Sequence, residues 1–446
     1  MQARERLAHA SPARLAVLVF TLVILVVAAL LSLPIARAGP YPPKIVDAIF
    51  TATSAVCVTG LTTVPTAEYW SGFGQVVIVA GIQVGGLGVM TLGSLLSLAA
   101  SRRLGLRSKV LAASETRTSR LGEVGMLVRA VAVISVAAEL MLMAVLTPRF
   151  IVEGESPGQA LWHGLFYGVS AFNNAGFVPT VEGLKPFASD WWVMAPIMTA
   201  VFVGSLGFPV LLDLTKRWRH PSLLTLHSKL TISFCLALLG IAWLAFTALE
   251  WNNPGTLKTD STSSTLLNTL FAGVNTRSGG FSTFDVTAQR PATTLLQDAL
   301  MFVGGGSAST AGGIKVTTLA VMLLAIRAEA RGDRDMEAFG RRIEPSILRV
   351  AVTVAVASVM FVFTGAFILT LVTDAPLTRI LYESISAFAT CGLSTGLSAT
   401  LPPLGKLTLA ALMLTGRLGT MTIATSVAMT NRRRVIRLAE ERPIVG

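Results

Sequence analysis

Charge is what this sequence has least of: Asp, Glu, Lys and Arg make up 13% of its 446 residues, about half the share of a soluble domain. With 52% hydrophobic residues and a mean hydropathy of +0.67, that scarcity excludes an ordinary water-soluble fold. Three cysteines (Cys57, Cys235, Cys391) and four histidines (His9, His163, His220, His227) are too few and too scattered for a disulfide framework or a metal cluster. No nucleophile and base are paired, no His/Glu metal motif occurs, and no apolar run holds more than one carboxylate (Glu139, Asp213, Asp298). An enzyme active site inside the membrane is therefore not expected.

What is abundant is apolar length. Eight runs, at roughly 13–33, 74–99, 126–147, 192–214, 230–249, 295–327, 350–372 and 404–430, each reach the ~20 residues that a bilayer crossing needs. The apolar core of the first is too long for a cleaved signal peptide. A net charge of +12 could point to nucleic acid, so the placement of the 36 Lys and Arg residues decides its meaning. Twenty-five lie at the two termini or around 100–129, 215–230 and 327–349, and eight in the alternate loops. This is the positive-inside pattern, which puts both termini in the cytoplasm of a cell-membrane protein and gives no reason to expect nucleic-acid binding.

Between successive pairs of runs lie four segments that match when aligned on one glycine: SAVCVTGL (54–61), SAFNNAGF (170–177), VNTRSGGF (274–281) and SAFATCGL (386–393). About ten apolar and small residues precede each one, enough for a short helix and too few to cross. The expected fold is all-α and membrane-integral. It has eight transmembrane helices in four tandem repeats of helix, re-entrant pore loop and helix around one pseudo-fourfold pore. The repeats divide at 1–100, 101–217, 218–345 and 346–446, with filters at 57–61, 173–177, 277–281 and 389–393. Irregular backbone at membrane depth survives only where it is buried in protein or lines a water-filled cavity. Four such loops meet that condition by converging on one axis. Their carbonyls would replace the hydration shell of a cation, and glycine lets the chain aim them inward. The candidate filter is therefore Cys57, Val58, Thr59 and Gly60; Asn173, Asn174, Ala175 and Gly176; Arg277, Ser278, Gly279 and Gly280; Ala389, Thr390, Cys391 and Gly392. The Arg277 side chain is expected to brace its loop from behind, and Glu139 in the third run is read as structural.

The runs after the filters carry GGLG (85–88), GSLG (204–207), GGIK (312–315) and GRLG (416–419), which align Gly86, Ser205, Gly313 and Arg417. The third repeat has four to eight extra residues, which fall in Gly304, Gly305, Gly306, Ser307, Ala308, Ser309, Thr310, Ala311, Gly312 and Gly313. Five glycines, each costing a helix about 1 kcal/mol, predict a span broken at mid-membrane and a plug below the filter. The segment is not a phosphate-binding loop, because Ile314 separates the last glycine from Lys315 and Val316 follows. Arg417 would stand level with the plug and oppose cation passage, or serve as a structural arginine paired with loop carbonyls. Lys315 could share either role.

Together TSAVCVTGL, SAFNNAGF, NTRSGGF, SAFATCGLSTG, GGGSASTAGGIKVTT and GRLG resemble the potassium transporter superfamily that includes the Trk, Ktr and plant HKT proteins, from about residue 13 to 432. With one run before the first filter segment, the chain is most similar to a Ktr membrane subunit. The resemblance implies K⁺ uptake, often Na⁺-dependent, by a homodimer with one pore per protomer. It also implies a cytoplasmic RCK-type ring that binds ATP or ADP, with no cofactor in this chain. The family's filter glycines correspond to Gly60, Gly176, Gly280 and Gly392, its gating loop to Gly304–Gly313 and its pore arginine to Arg417. A serine in place of the first filter glycine accompanies sodium preference in HKT relatives, and here Gly60 is glycine. Thr420 departs from the proline expected after GRLG. No cytoplasmic loop is long enough for a nucleotide-binding domain. The basic loops at 102–120, 216–229 and 327–342 are candidate docking surfaces, or touch anionic lipid. Two other readings belong beside this one: a Trk-type or Na⁺-permeable member, and an alternating-access secondary transporter, which would more often show inverted halves.

Overall fold

The computed structural model describes residues 12–39, 44–103, 119–256 and 261–419, together with Ile423. The expectations for the two termini, for most of the 102–120 loop and for Thr420 lie outside these residues.

The described chain is almost wholly helical. In order come α1 (Pro12–Leu31), α2 (Ile45–Val56), α3 (Gly72–Arg103), α4 (Ser119–Val152), α5 (Pro157–Phe172), α6 (Trp191–Leu206) and α7 (Phe208–Arg217). There follow α8 (Leu226–Glu250), α9 (Thr262–Asn275), α10 (Pro291–Phe302), α11 (Val316–Arg331), α12 (Pro345–Val372), α13 (Leu377–Phe388) and α14 (Pro403–Leu414). A two-stranded antiparallel hairpin, β1 (Met336–Ala338) with β2 (Arg341–Ile343), sits between α11 and α12, in register Met336 to Ile343. It departs from the all-α expectation, and its turn uses positive φ at Phe339 and Gly340, as a two-residue hairpin requires.

Among the described residues, four helical segments, Gly72–Leu92, Val128–Val152, Leu226–Glu250 and Pro345–Val372, are long and apolar enough to cross a membrane, and a bent pair makes a fifth. That pair is a correction to the sequence reading. The run over 192–214 breaks between α6 and α7 with a bend of 101°, because Gly207 takes φ 92° and Pro209 sits in the first turn beyond it. The run over 295–327 is interrupted from Val303 to Lys315, between α10 and α11. The last run is helical to Leu414 and then turns through a π-helical segment, Thr415–Gly419.

Burial is arranged for lipid rather than water. On α12, Val356, Met360, Phe363, Phe367 and Leu371 lie exposed at helical spacing, while Ala351, Ala355, Ser358, Gly365 and Ala366 are buried. Large apolar side chains face outward and small ones let the helices approach, the usual preference of membrane helices. The short helices α2, α5, α9 and α13 behave oppositely, being buried on nearly every side over the turns that precede their C-terminal ends. They lie inside the protein, and the longer helices surround them.

One ion pair ties the first part of the fold to the last: Lys406 Nζ on α14 meets Asp47 Oδ1 on α2 at 2.7 Å, with side chains 12% and 2% exposed. Removing one partner of a buried pair leaves an uncompensated charge and costs about 3–5 kcal/mol, whereas replacing both with apolar groups is often neutral. We therefore expect Asp47→Ala to lower the temperature of half-loss of the monodisperse peak in fluorescence-detected size exclusion. The double variant Asp47→Leu/Lys406→Leu should recover most of it, and equal losses in the two would exclude the pair as a tie.

Candidate functional site, a ring of four glycine loops

Each short helix delivers its C-terminus to the same place and is followed by the same backbone turn. Two residues before each aligned glycine, a non-glycine residue takes positive φ: Val58 (55°), Asn174 (59°), Ser278 (78°) and Thr390 (45°). The glycines follow at 91° for Gly60, 68° for Gly176, 74° for Gly280 and 92° for Gly392. Thr59, Ala175, Gly279 and Cys391, between them, are outside that region. Such alternation turns successive carbonyls toward the same side of the chain, where a strand would alternate them. Four left-handed non-glycine residues cost roughly 1–2 kcal/mol each, so the surrounding structure has to hold them.

The glycines themselves touch. A methyl group placed on Gly60 would lie 3.1 Å from the Cα of Gly176, one on Gly176 would lie 2.7 Å from Gly280, and one on Gly392 would lie 3.2 Å from both Gly280 and Gly60. The four loops therefore close a ring in chain order, with no room for a fifth element or for any side chain on the glycines.

What holds the strained turns in three of the four copies is a serine within the short helix, Ser54, Ser170 or Ser386. The backbone amides of Thr59, Ala175 and Cys391 donate to the carbonyls of Ser54 (2.8 Å), Ser170 (2.7 Å) and Ser386 (2.9 Å). The hydroxyls of Ser54 and Ser386 accept from the amides of Gly60 (3.1 Å) and Gly392 (3.2 Å), and that of Ser170 donates to the Phe177 carbonyl at 2.8 Å. In the third copy Asn275 stands in, accepting the Phe281 amide on Oδ1 at 3.3 Å. The signal was present: a serine stands six residues before the glycine in three copies out of four.

Behind the ring, the aligned GGLG-type motifs acquire a physical reason. Side chains at Gly85, Gly204 and Gly416 would overlap the carbonyls of Val56, Phe172 and Phe388, the last helical residues of α2, α5 and α13. The first residue of the motif, a glycine each time, allows the close approach, one position before the aligned Gly86, Ser205 and Arg417. Gly86 instead faces the side-chain amide of Asn173. Arg277 is 2% exposed and reaches back to Cys235 on α8. Of the third filter segment, the Ser278 side chain points across to a neighbouring loop and donates to the Thr390 carbonyl at 2.8 Å.

The segment from Gly304 to Lys315 fills the space against the bend of α6 and α7. The Gly306 amide donates to Ser205 O (2.8 Å), Thr310 Oγ1 donates to Gly204 O (3.1 Å), and the Phe208 amide donates to Ala308 O (3.3 Å). A side chain at Gly305 would strike Ser205, and one at Gly207 would strike Ser307. Ala308 (56°) and Gly313 (64°) take positive φ. Ser307 pairs with Thr317 at 3.1 Å, Ser309 and Ala311 are buried, and Lys315 Nζ reaches back to Ala311 O. Gly312 closes the connection upward, its amide donating to Ser278 Oγ at 3.3 Å. Arg417, 2% exposed, donates through Nη1 to the Thr310 carbonyl. Its Nε and Nη2 meet no acceptor among the described residues. Arg417 therefore contacts the irregular segment at the Thr310 carbonyl.

No group of three or more His, Cys, Asp or Glu side chains suited to a metal ion occurs among the described residues, and the three cysteines are free and buried. None of the residues 57–60, 173–176, 277–280 and 389–392 carries a carboxylate, so the loops themselves present only uncharged oxygens. This defines a class: a multi-pass membrane protein in which four re-entrant glycine loops meet inside the helices, with an irregular segment packed against the bend of α6 and α7.

Comparison with known proteins agrees with that class. The family model for TrkH, described as a cation transport protein, matches residues 23–434, and the chain belongs to this family of transport proteins; it is not an enzyme. It is similar to the Ktr system potassium uptake protein B of Bacillus subtilis (strain 168), 37% identical over 95% of both chains. It is also similar to the potassium/sodium uptake protein NtpJ of Enterococcus hirae, at 33% over 96% of this chain and 95% of the relative. The crystal structure of the potassium transporter TrkH from Vibrio parahaemolyticus superimposes with a TM-score of 0.69 at 16% identity, covering 90% of this chain and 83% of that one.

Ser278 ties the third loop to the fourth and both to the segment beneath. Ser278→Ala removes two hydrogen bonds worth about 1 kcal/mol each. It is expected to weaken discrimination among transported monovalent cations several-fold in competition uptake assays, with protein abundance unchanged. A variant indistinguishable from the parent would show that the hydroxyl does not brace the ring.

Proposed function

We propose that the chain is a K⁺ uptake protein that conducts through a channel-like pore. Its filter is the ring of backbone carbonyls from residues 57–60, 173–176, 277–280 and 389–392. The observation that carries this reading is the repetition in all four loops of one turn, left-handed two residues before a left-handed glycine, with the glycines in contact. Uncharged carbonyls at short range suit a weakly hydrated monovalent cation, whereas rings of carboxylates are absent from these segments. The helix C-termini of α2, α5, α9 and α13 add partial negative charge toward the same point. The names of the B. subtilis and E. hirae relatives, potassium and potassium/sodium uptake proteins, agree.

In this reading the chain crosses the membrane eight times in four tandem repeats, 1–100, 101–217, 218–345 and 346–446, around one pseudo-fourfold axis. Both termini lie in the cytoplasm, and the protein resides in the inner or plasma membrane. Gly304–Gly313, with Lys315, forms an intramembrane gate, and Arg417 holds the gate closed through the Thr310 carbonyl while its remaining N–H groups repel cations. The functional unit is a homodimer in lipid, regulated by a cytoplasmic RCK-type ring that binds ATP or ADP, with transport dependent on Na⁺. A Na⁺-permeable member of the family is the second reading, favoured by the E. hirae relative's printed name and opposed by glycine at Gly60.

In a cell lacking its own K⁺ uptake, the chain should restore growth at low K⁺, more so with a co-expressed RCK subunit. Gly60→Ser should reduce K⁺ over Na⁺ discrimination about tenfold in competitive uptake; unchanged discrimination would sink the carbonyl filter. Arg417→Gln, or deletion of residues 307–311, should raise flux of ⁸⁶Rb⁺ in proteoliposomes, and flux at or below that of the parent would remove the gate from the account.

A further inference from the structure

Glu139 lies near the middle of the span Val128–Val152 and is 4% exposed. An ionisable group at that depth costs about 2.5–3.5 kcal/mol on insertion scales and is kept only where it has a partner. Its partner is the second loop of the ring. Asn173, the first residue of that filter segment, donates from Nδ2 to Glu139 Oε1 at 2.9 Å, to Gln83 Oε1 on α3 at 3.1 Å and to its own helix at the Val169 carbonyl at 3.0 Å. The amide is confined from two sides. A side chain on Gly86 would overlap the Asn173 oxygen, and one on Gly168 would come within 2.8 Å of the Glu139 carbonyl, so α3, α4 and α5 meet tightly here.

The first and fourth loops have Cys57 and Ala389 at the position of Asn173, and neither can make such a contact. In the second loop the next residue, Asn174, carries the left-handed φ of 59°, so the amide is anchored one residue before the most strained bond of the turn.

We infer that Glu139 is a positioning residue for cation selectivity: as a hydrogen-bond acceptor it fixes Asn173 and, through it, the aim of the carbonyls from Asn174 to Gly176. This rests on the carbonyl-filter reading above. The role belongs to the acceptor oxygen, not to the charge, since a glutamine offers the same oxygen at the same reach. Gln83 is the weaker second anchor.

The test measures the apparent KM for K⁺, the maximal rate, and inhibition by Na⁺ for the full chain in K⁺-uptake-deficient cells, normalised to protein by fluorescence-detected size exclusion. Glu139→Leu should raise the KM for K⁺ and lose about tenfold in K⁺ over Na⁺ discrimination, the factor at the upper end of what one neutral hydrogen bond contributes. Glu139→Gln should keep the parental ratio, and Gln83→Leu should shift it in the same direction as Glu139→Leu by a smaller factor. A Glu139→Gln variant as unselective as Glu139→Leu would overturn the assignment, because the charge would then be what matters. If Glu139→Leu folds poorly, Gln83→Leu carries the test alone: an unchanged ratio there overturns the two-anchor arrangement. Gly176→Ser is measured in parallel. Loss of selectivity in Gly176→Ser with none in Glu139→Leu rejects only this inference, while no change in either rejects the carbonyl filter.

Discussion

Backbone amides and carbonyls away from water must find partners, and the centre of this molecule is organised by that requirement. A helix satisfies its own groups, so long helices meet lipid. The four short helices stop inside the protein, and each leaves carbonyls at its C-terminus, and polar groups in the loop that follows, which no bilayer could satisfy. Three serines and Asn275 take up those groups at the ends of α2, α5, α9 and α13. With these clamps in place, the left-handed residues Val58, Asn174, Ser278 and Thr390 are held where an isolated chain would rarely put them.

The same requirement explains why the irregular segment beneath the ring lies where it does. The break at Gly207 frees polar groups in one helix, and the break between Phe302 and Val316 frees them in another. The two breaks meet: Ser205, Gly204 and Phe208 bond to Gly306, Thr310 and Ala308. Each interruption would be costly alone. Their juxtaposition, with the contact from Arg417 to Thr310, lets each break supply the partners that the other lacks.

Much of this was legible in the sequence. Apolar runs announce a membrane protein without any structure, since hydropathy is a sum over residues. The four glycines were identifiable by register, and the glycine-rich insertion pointed to an interrupted helix because propensity is local. Other features were not legible. The bend at Gly207 hides in a single GFP triplet inside an apolar run, and its stability comes from a loop a hundred residues away. Glu139 read as a structural charge, since nothing in its own neighbourhood names Asn173, thirty-four residues on. The choice between the first and second glycine of GGLG depended on which one faces a carbonyl, a rotation that an alignment does not contain.

By itself, then, the sequence determined the class of solvent, the number of copies of the loop and the residue types able to form it, because burial tendency, repetition and glycine's freedom at positive φ are properties of the chain. The tertiary structure alone decided that the four copies close into one ring, that Ser278 links two loops to the segment below, and that Arg417 bonds to Thr310. Those contacts join residues about a hundred positions apart in the chain, and their formation depends on how helices pack around a shared centre, which no local pattern encodes.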